Sequence, residues 1–167
     1  MGIVVKALEE QDIPEKVRVM NEAWQYAHET WGKGYYPEEA HEFDMSLNNE
    51  ERFRASMENE HGFFFIAIVD GKIAGSVRGE MFGESGFAMV RNIAMHPEYH
   101  RMGAGRALME HAIDYLTAKG CHKISLNTSR VLMPAINLYM NMGFVPEAYL
   151  RKQWWGLDFI YMSKWLK

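Results

Sequence analysis

Residues 90–108 read VRNIAMHPEYHRMGAGRAL, and the architecture of the chain follows from how that segment folds. Ile93, Ala94 and Met95 form an apolar run that stops at Pro97; a polar turn, Glu98 to Arg101, leads to Gly103-Ala104-Gly105, where a helix-period pattern begins. The order is strand, turn, glycine loop, helix. The first turn of a helix has amide groups without intrahelical acceptors and carries the positive end of the dipole, so it suits phosphate. Glycines at 103 and 105 let an anion approach the backbone with no Cβ in the way, and Arg101 and Arg106 add charge.

Two nucleotide motifs are excluded. A Walker loop needs Gly-Lys-Ser/Thr, but Gly105 is followed by Arg106-Ala107; the dinucleotide fingerprint needs a third glycine where Leu108 stands. The run Met95-x-Pro-x-Tyr-x-Arg-x-Gly-x-Gly-Arg-Ala-Leu resembles instead the acetyl-coenzyme A loop of the GNAT family of N-acetyltransferases, in which Gln/Arg-x-x-Gly-x-Gly/Ala wraps the pyrophosphate. His100 occupies the first position of that pattern, where the family has Gln or Arg. Backbone amides from Met102 to Arg106 can bind phosphate whatever their side chains.

A second segment, Ala135-Ile-Asn-Leu-Tyr-Met-Asn-Met-Gly-Phe144, resembles the family's Ala-x-x-Leu-Tyr-x-x-x-Gly-Phe, whose tyrosine lies beside the thioester sulfur. Taken alone, a Leu-Tyr pair on an amphipathic helix reads as core packing. The family often has an asparagine seven residues before this tyrosine; here that place is Leu132, and Asn127, Thr128 or Ser129 is the candidate substitute.

The chain has 167 residues, 48% apolar and 24% charged, with a net charge of −4. That is enough for one packed domain, taken as 1–167, and the charge balance does not suit nucleic acid. A lone cysteine, Cys121, fits a reducing compartment. The amino terminus shows neither a secretory signal nor a myristoylation pattern, and no apolar run is long enough to span a bilayer, so a cytoplasmic location with no membrane partner is expected.

Periodicity supplies the element order. A strand is expected from Ile3 to Leu8, then a helix opened by Asp12 and Pro14 with Val17, Met20, Ala23/Trp24 and Ala27 on one face, ending near Thr30. Residues 31–37, WGKGYYP, read as an aromatic loop that either walls a pocket or pins itself to the core. Residues 38–59 suggest exposed helices broken at Asn48-Asn49. Asp70-Gly71 between β-rich runs predicts a hairpin, with the next strand turning back at residues 83–86 into a strand from Phe87 to Met95. After the glycine-loop helix come a short strand at 123–127, a helix at 133–142, and strands at 144–145 and 157–163, separated by a loop holding Trp154 and Trp155.

This succession predicts an α/β fold with a mixed sheet of about seven strands flanked by helices, antiparallel first and parallel around the fourth and fifth strands. The resemblance implies the acyl-CoA N-acyltransferase arrangement, with acetyl-CoA as cosubstrate in a splay between those two strands.

Acetyl transfer to an amine sets three demands: a neutral nucleophile, donors for the developing oxyanion, and a proton for the leaving thiolate. A thiol pKa of about 8.5 and a tyrosine pKa near 10 make a phenol a workable acid, so Tyr139 is the candidate. The resemblance assigns the pantetheine arm and thioester carbonyl to backbone groups of Ile93, Ala94 and Met95, and the pyrophosphate to Arg101, Met102, Gly103, Ala104, Gly105 and Arg106, with Asn127 alongside. Many relatives carry a basic carboxylate on the fourth strand. This strand offers Arg91 and Asn92, so Glu80 and Glu84 are the nearest acidic candidates, and each also reads as a solvated turn residue.

The acceptor is expected to be a primary amine of a small molecule or peptide, near Trp24, Trp31, Tyr35, Tyr36, Trp154 and Trp155, with Glu38, Glu39, Glu42 and Asp44 close by. His96 and His100 straddle Pro97 with no third ligand at a telling spacing, so no metal is expected. A non-catalytic acyl-CoA sensor stays open as the alternative, and a homodimer is compatible with the resemblance.

Overall fold

A computed structural model describes residues 2–166. The elements are β1 (Ile3–Ala7), α1 (Ile13–Ala27), α2 (Glu38–Leu47), α3 (Glu50–Met57), β2 (Gly62–Val69), β3 (Lys72–Met81), β4 (Phe87–Met95), α4 (Ala104–Ala118), β5 (Lys123–Ser129), α5 (Met133–Asn141), β6 (Val145–Trp154) and β7 (Leu157–Trp165). One sheet of seven strands runs β1-β2-β3-β4-β5-β7-β6. Every neighbouring pair is antiparallel except β4 and β5, which are parallel.

Strand alternation sends two sets of side chains to opposite faces, and each face has its own core. Phe63, Phe65, Val77, Ala88 and Val90 pack under Leu108, Met109, Ala112 and Leu116 of α4. On the other face Ile66 and Ile73 meet Ile13 and Val17 of α1 and Phe53 of α3. Deep burial of α4 follows from its apolar stripe at helical spacing, while α2 and α3 bury one residue each, Ala40 and Phe53.

The predicted hairpin forms as expected, with φ of 48° at Asp70 and 81° at Gly71, the pair of positive values that a two-residue turn between twisted strands requires. Gly79 is required by close approach: a Cβ there would lie 2.2 Å from the carbonyl oxygen of Met89 on β4. α1 does not reach Thr30 in α form; it ends at Ala27 and continues as one π-helical turn, His28–Gly32. Residues 31–37 are therefore partly helical rather than a plain loop.

The largest departure concerns the last hairpin. Only Phe144-Val145 was expected to be strand before a long loop, yet β6 runs from Val145 to Trp154 and returns into β7 through Trp155 and Gly156, both with positive φ. β6 is the sheet edge and all but one of its residues are exposed, so it never acquired the apolar alternation by which strands are recognised. β5 likewise runs on to Ser129, two residues past its expected end.

The parallel ladder between β4 and β5 ends at Val90 and Leu126. Beyond it, β4 continues to Met95 while β5 pairs only with β7. The two strands part there, and the sheet has a split that opens toward the start of α4.

Candidate active site

Five residues of β4, from Arg91 to Met95, lie past the point where β5 leaves. His96 donates its N–H to the carbonyl of Ala74 on β3 at 2.8 Å. Backbone groups alternate along a strand, so Ala94 also faces β3, and the peptide groups of Ile93 and Met95 face the split. His100 closes this end: its ring Nε2 lies 3.0 Å from the Met95 carbonyl, and the ring packs edge-on against Tyr26 and stacks on Trp31. The histidine at the first position of the glycine-loop pattern thus ties the loop to β4 and to α1.

Next along the chain, Arg101 and Gly103 take φ values of 64° and 88°, which swing the backbone into α4. The first helical hydrogen bond is Ala107 N–H to the Gly103 carbonyl, so the amides of Ala104, Gly105 and Arg106 precede it and are free to point at a ligand. A Cβ on Gly105 would touch only Met95 and Leu138, at 3.5 and 3.6 Å. The packing alone does not demand glycine there. A backbone kept bare without a steric reason fits an anion approaching it closely. Arg101 and Arg106 are both exposed beside this turn.

Asn127 sits on β5 just past the last residue paired with β4, and its Oδ1 is buried without a hydrogen-bond partner. Leaving a buried acceptor unpaired costs about 1–3 kcal/mol, so a ligand N–H is the group this position suits. The amide-rich arm of coenzyme A carries such donors. Together with the helix terminus, this makes the residues present a fit for that cosubstrate.

Tyr139, on α5, is 5% exposed and packs against Phe144 at 5.9 Å between ring centroids. Burial holds its hydroxyl well above the usual phenol range, so it stays protonated. Glu80 is committed elsewhere: it forms an ion pair with Arg91 and accepts from the Asn59 side chain at 3.1 Å. Glu84 is exposed in the turn before β4, and the strand from Phe87 to Val90, about 14 Å at about 3.4 Å per residue, separates that turn from the split. Neither carboxylate lines the cleft described next, which removes the geometric reason for either as base.

On the α1 face, a cleft of about 540 Å³ is walled by Trp24, Tyr36, Trp154 and Trp155 and reaches Val90 and Asn127 at the mouth of the split. Trp155 approaches Phe43 at 5.7 Å. Both readings of the 31–37 aromatics are realised, by different residues. Tyr36 walls the cleft, whereas the Tyr35 hydroxyl accepts from the Asp158 N–H and from Arg130, both at 3.2 Å, and so pins this segment to β7. Trp31 packs on Tyr26 and His100 instead. Of the four acidic candidates, Asp44 alone lines the cleft, and its partial burial raises its carboxyl above the ordinary range.

The same cleft contains groups that reading the sequence passed over. His28 and His41 stack at 3.9 Å, nearly parallel; His28 faces Glu38 at 3.3 Å and His41 faces Gln25 at 2.9 Å. Desolvation, reinforced by His28, lowers the His41 imidazole, which is therefore neutral near pH 7. Arg78 lies on the floor opposite Asn92 on β4. Lys16, 3% exposed, lies in an adjoining chamber with its ammonium 3.6 Å above the Phe53 ring. Lys16 had a visible signal, since Ile13, Lys16, Met20 and Ala23 share one helical face; the histidine pair had none.

Among the described residues no three His, Cys, Asp or Glu side chains gather as a metal site, and no helix is long and apolar enough to cross a membrane. Cys121 is buried, which pushes its thiol up.

A profile of the acetyltransferase (GNAT) family matches residues 17–144. The chain is 34% identical over 116 residues, 70% of its length and 74% of the other protein, to the [Ribosomal protein bS18]-alanine N-acetyltransferase of Escherichia coli K12. In overall shape it resembles the PaiA N-acetyltransferase of Thermoplasma acidophilum in complex with coenzyme A, at a TM-score of 0.81 with 23% identity over 99% of both chains. The crystal structure of the Escherichia coli ribosomal-protein alanine N-acetyltransferase matches at 0.75 with 26% identity, over 99% of this chain and 95% of that one.

Proposed function

Because the chain belongs to the acetyltransferase (GNAT) family and is an acetyl-CoA-dependent N-acetyltransferase, we propose that its acceptor is a primary amine of a small molecule or peptide held in the aromatic cleft. One observation carries this reading. The split between β4 and β5 opens onto the glycine-led end of α4 on one side and onto the aromatic cleft on the other, so two ligands can meet at its mouth. The relative named [Ribosomal protein bS18]-alanine N-acetyltransferase supports a peptide or amino-acid-like acceptor.

Acetyl-CoA, when bound, supplies the thioester acetyl group. The amides of Ala104, Gly105 and Arg106, with Arg101 and Arg106 at the rim, hold its phosphates. Asn127 Oδ1 accepts an amide N–H from its arm. The N–H groups of Ile93 and Met95 face the split and donate to negative charge developing on the carbonyl oxygen. Tyr139 stays protonated and donates a hydrogen bond to the departing sulfur; burial holds its pKa above that of the thiol, so it stabilises thiolate charge without surrendering its proton.

Base function passes from Glu80 and Glu84 to the cleft wall. The Asp44 carboxylate attracts the amine as a cation, and the neutral His41 imidazole takes the amine's proton, directly or through water. The attack is direct, on bound thioester, with no covalent acetyl-enzyme.

The test is acetyl-CoA binding by calorimetry and thiol release across an amine panel, for wild type and Tyr139→Phe. Amine-dependent release that falls in the variant while binding persists supports the assignment. Binding without release from any amine overturns it.

A further inference from the structure

Lys16 and Arg78 present a charge problem that the reading above does not use. Both line a chamber of about 380 Å³ beneath the aromatic cleft, and Trp24, Asp44, Arg78 and Asn92 border both spaces, so the two are continuous. Lys16 comes from α1 and Arg78 from β3, on the face that α1 covers. They lie near enough for each Arg78 charge to press on the Lys16 ammonium. Among the described residues, neither has a carboxylate within ion-pair distance. Glu80, the acidic group that Arg78 feels, is taken by Arg91. Asp44 sits on the α2 wall, where the charge it feels is His41 rather than either of these cations. Lys16 has only the Phe53 ring beneath it.

Arg78 and the charged form of Lys16 share one partly buried space with Asp44, whose carboxylate is outside ion-pair distance of both, so charge there is costly and an entering anion would offset that cost. Met20, Leu47 and Phe53 line it beside the amides of Asn48 and Asn92, and Asp44 and the exposed Arg52 stand at its border. An apolar wall with Arg78 and Lys16 set into it suits a carboxylate carried on a short apolar stem, gripped by the flat fork of Arg78.

We propose that the chamber lined by Lys16 and Arg78 binds a carboxylate of the acceptor, so the enzyme selects amines that also bear an acidic group, as amino acids and acidic peptides do. The inference rests on the acetyl-transfer reading, and its test separates the two.

In the first arm, thermal unfolding is followed in glutarate and in its neutral diamide. Glutarate raises the midpoint of the wild type by several degrees, the diamide does not, and the rise is lost in Arg78→Gln and reduced in Lys16→Met. In the second arm, thiol release is measured for ω-amino carboxylates of increasing length against their ω-amino amides. The best carboxylate exceeds its amide by tenfold or more in kcat/KM, chiefly through KM. Arg78→Gln brings the pair to parity chiefly by raising KM for the carboxylate, and Arg78→Lys restores part of the gap. Glutarate without effect, carboxylates no better than amides, or a preference that survives in both Arg78→Gln and Lys16→Met would each overturn the proposal. No release from any amine would overturn the transfer reading, while the glutarate arm would still decide whether the chamber takes a carboxylate.

Discussion

Replacing Lys16 with Met should stabilise the protein, and by an amount that depends on pH. Burial first, and the Arg78 charge second, lower the Lys16 pKa from 10.5 to about 7. At about 1.4 kcal/mol per pH unit, a shift of that size is worth about 5 kcal/mol between the charged and neutral forms. The Phe53 face under the ammonium returns about 1–2 kcal/mol of this as a cation–π contact. The net penalty on the charged form is then about 3 kcal/mol.

The sign follows from proton counts. Between pH 7 and the unfolded value the unfolded chain holds the Lys16 proton and the folded chain does not, so stability rises with pH across that window. Below about pH 7 both states are charged, and the folded state bears the whole penalty. Met has similar volume and no charge, so the variant is free of it at every pH. Arg78, Arg52 and Asp44, which share the chamber, are present in both proteins and cancel in the difference. Urea unfolding of both at fixed ionic strength should show Lys16→Met ahead by about 3 kcal/mol at pH 6, with the gap closing toward pH 10. A gap that stays constant from pH 6 to 10 would show that Lys16 is not held in a depressed state, and would refute the reasoning.

Tyr139→Phe should cut amine-dependent thiol release by about a hundredfold, the lower range for losing a positioned hydrogen-bond donor to developing charge, while calorimetric acetyl-CoA affinity stays within about twofold. Gly105→Ala meets nothing closer than 3.5 Å, so its melting temperature should hold while coenzyme affinity falls by about tenfold, a loss of about 1.4 kcal/mol at the phosphates. Gly79→Ala is the opposite case: its Cβ would lie 2.2 Å from a backbone oxygen, and urea unfolding should show a loss of about 3 kcal/mol or more. With His41 as base, kcat/KM should rise with pH through a value below the ordinary imidazole range. Removing its stacked neighbour by His28→Ala should move that limb upward, and a limb unmoved in this variant would count against His41.

Much of the architecture was legible in local patterns because it is encoded locally. Asp70-Gly71 fixes a tight hairpin by conformational preference alone, and the α4 stripe fixes which face is buried. The glycine loop before α4 is a backbone device, so its residues could be named without knowing what surrounds them. The same logic named Asn127 and Tyr139 as candidates through their place next to those devices.

Other features needed the third dimension. β6 is an exposed edge strand whose pairing comes from β7, so no burial pattern marked it in the chain. The demotion of Glu80 depends on Arg91 eleven residues away across a hairpin, and the His28–His41 stack depends on α1 and α2 folding against each other. The cationic chamber is the clearest case. Helical spacing places Lys16 among apolar residues, but only the packing of α1 on β3 brings it to Arg78 and withholds a counter-ion. Short-range rules of turn, period and capping let the sequence by itself determine the glycine turn that leads into α4 and the elements other than β6. Charge and access act through space between segments distant in the chain, so the histidine pair proposed to hold the base and the lining of the acceptor cleft are visible only in the tertiary structure.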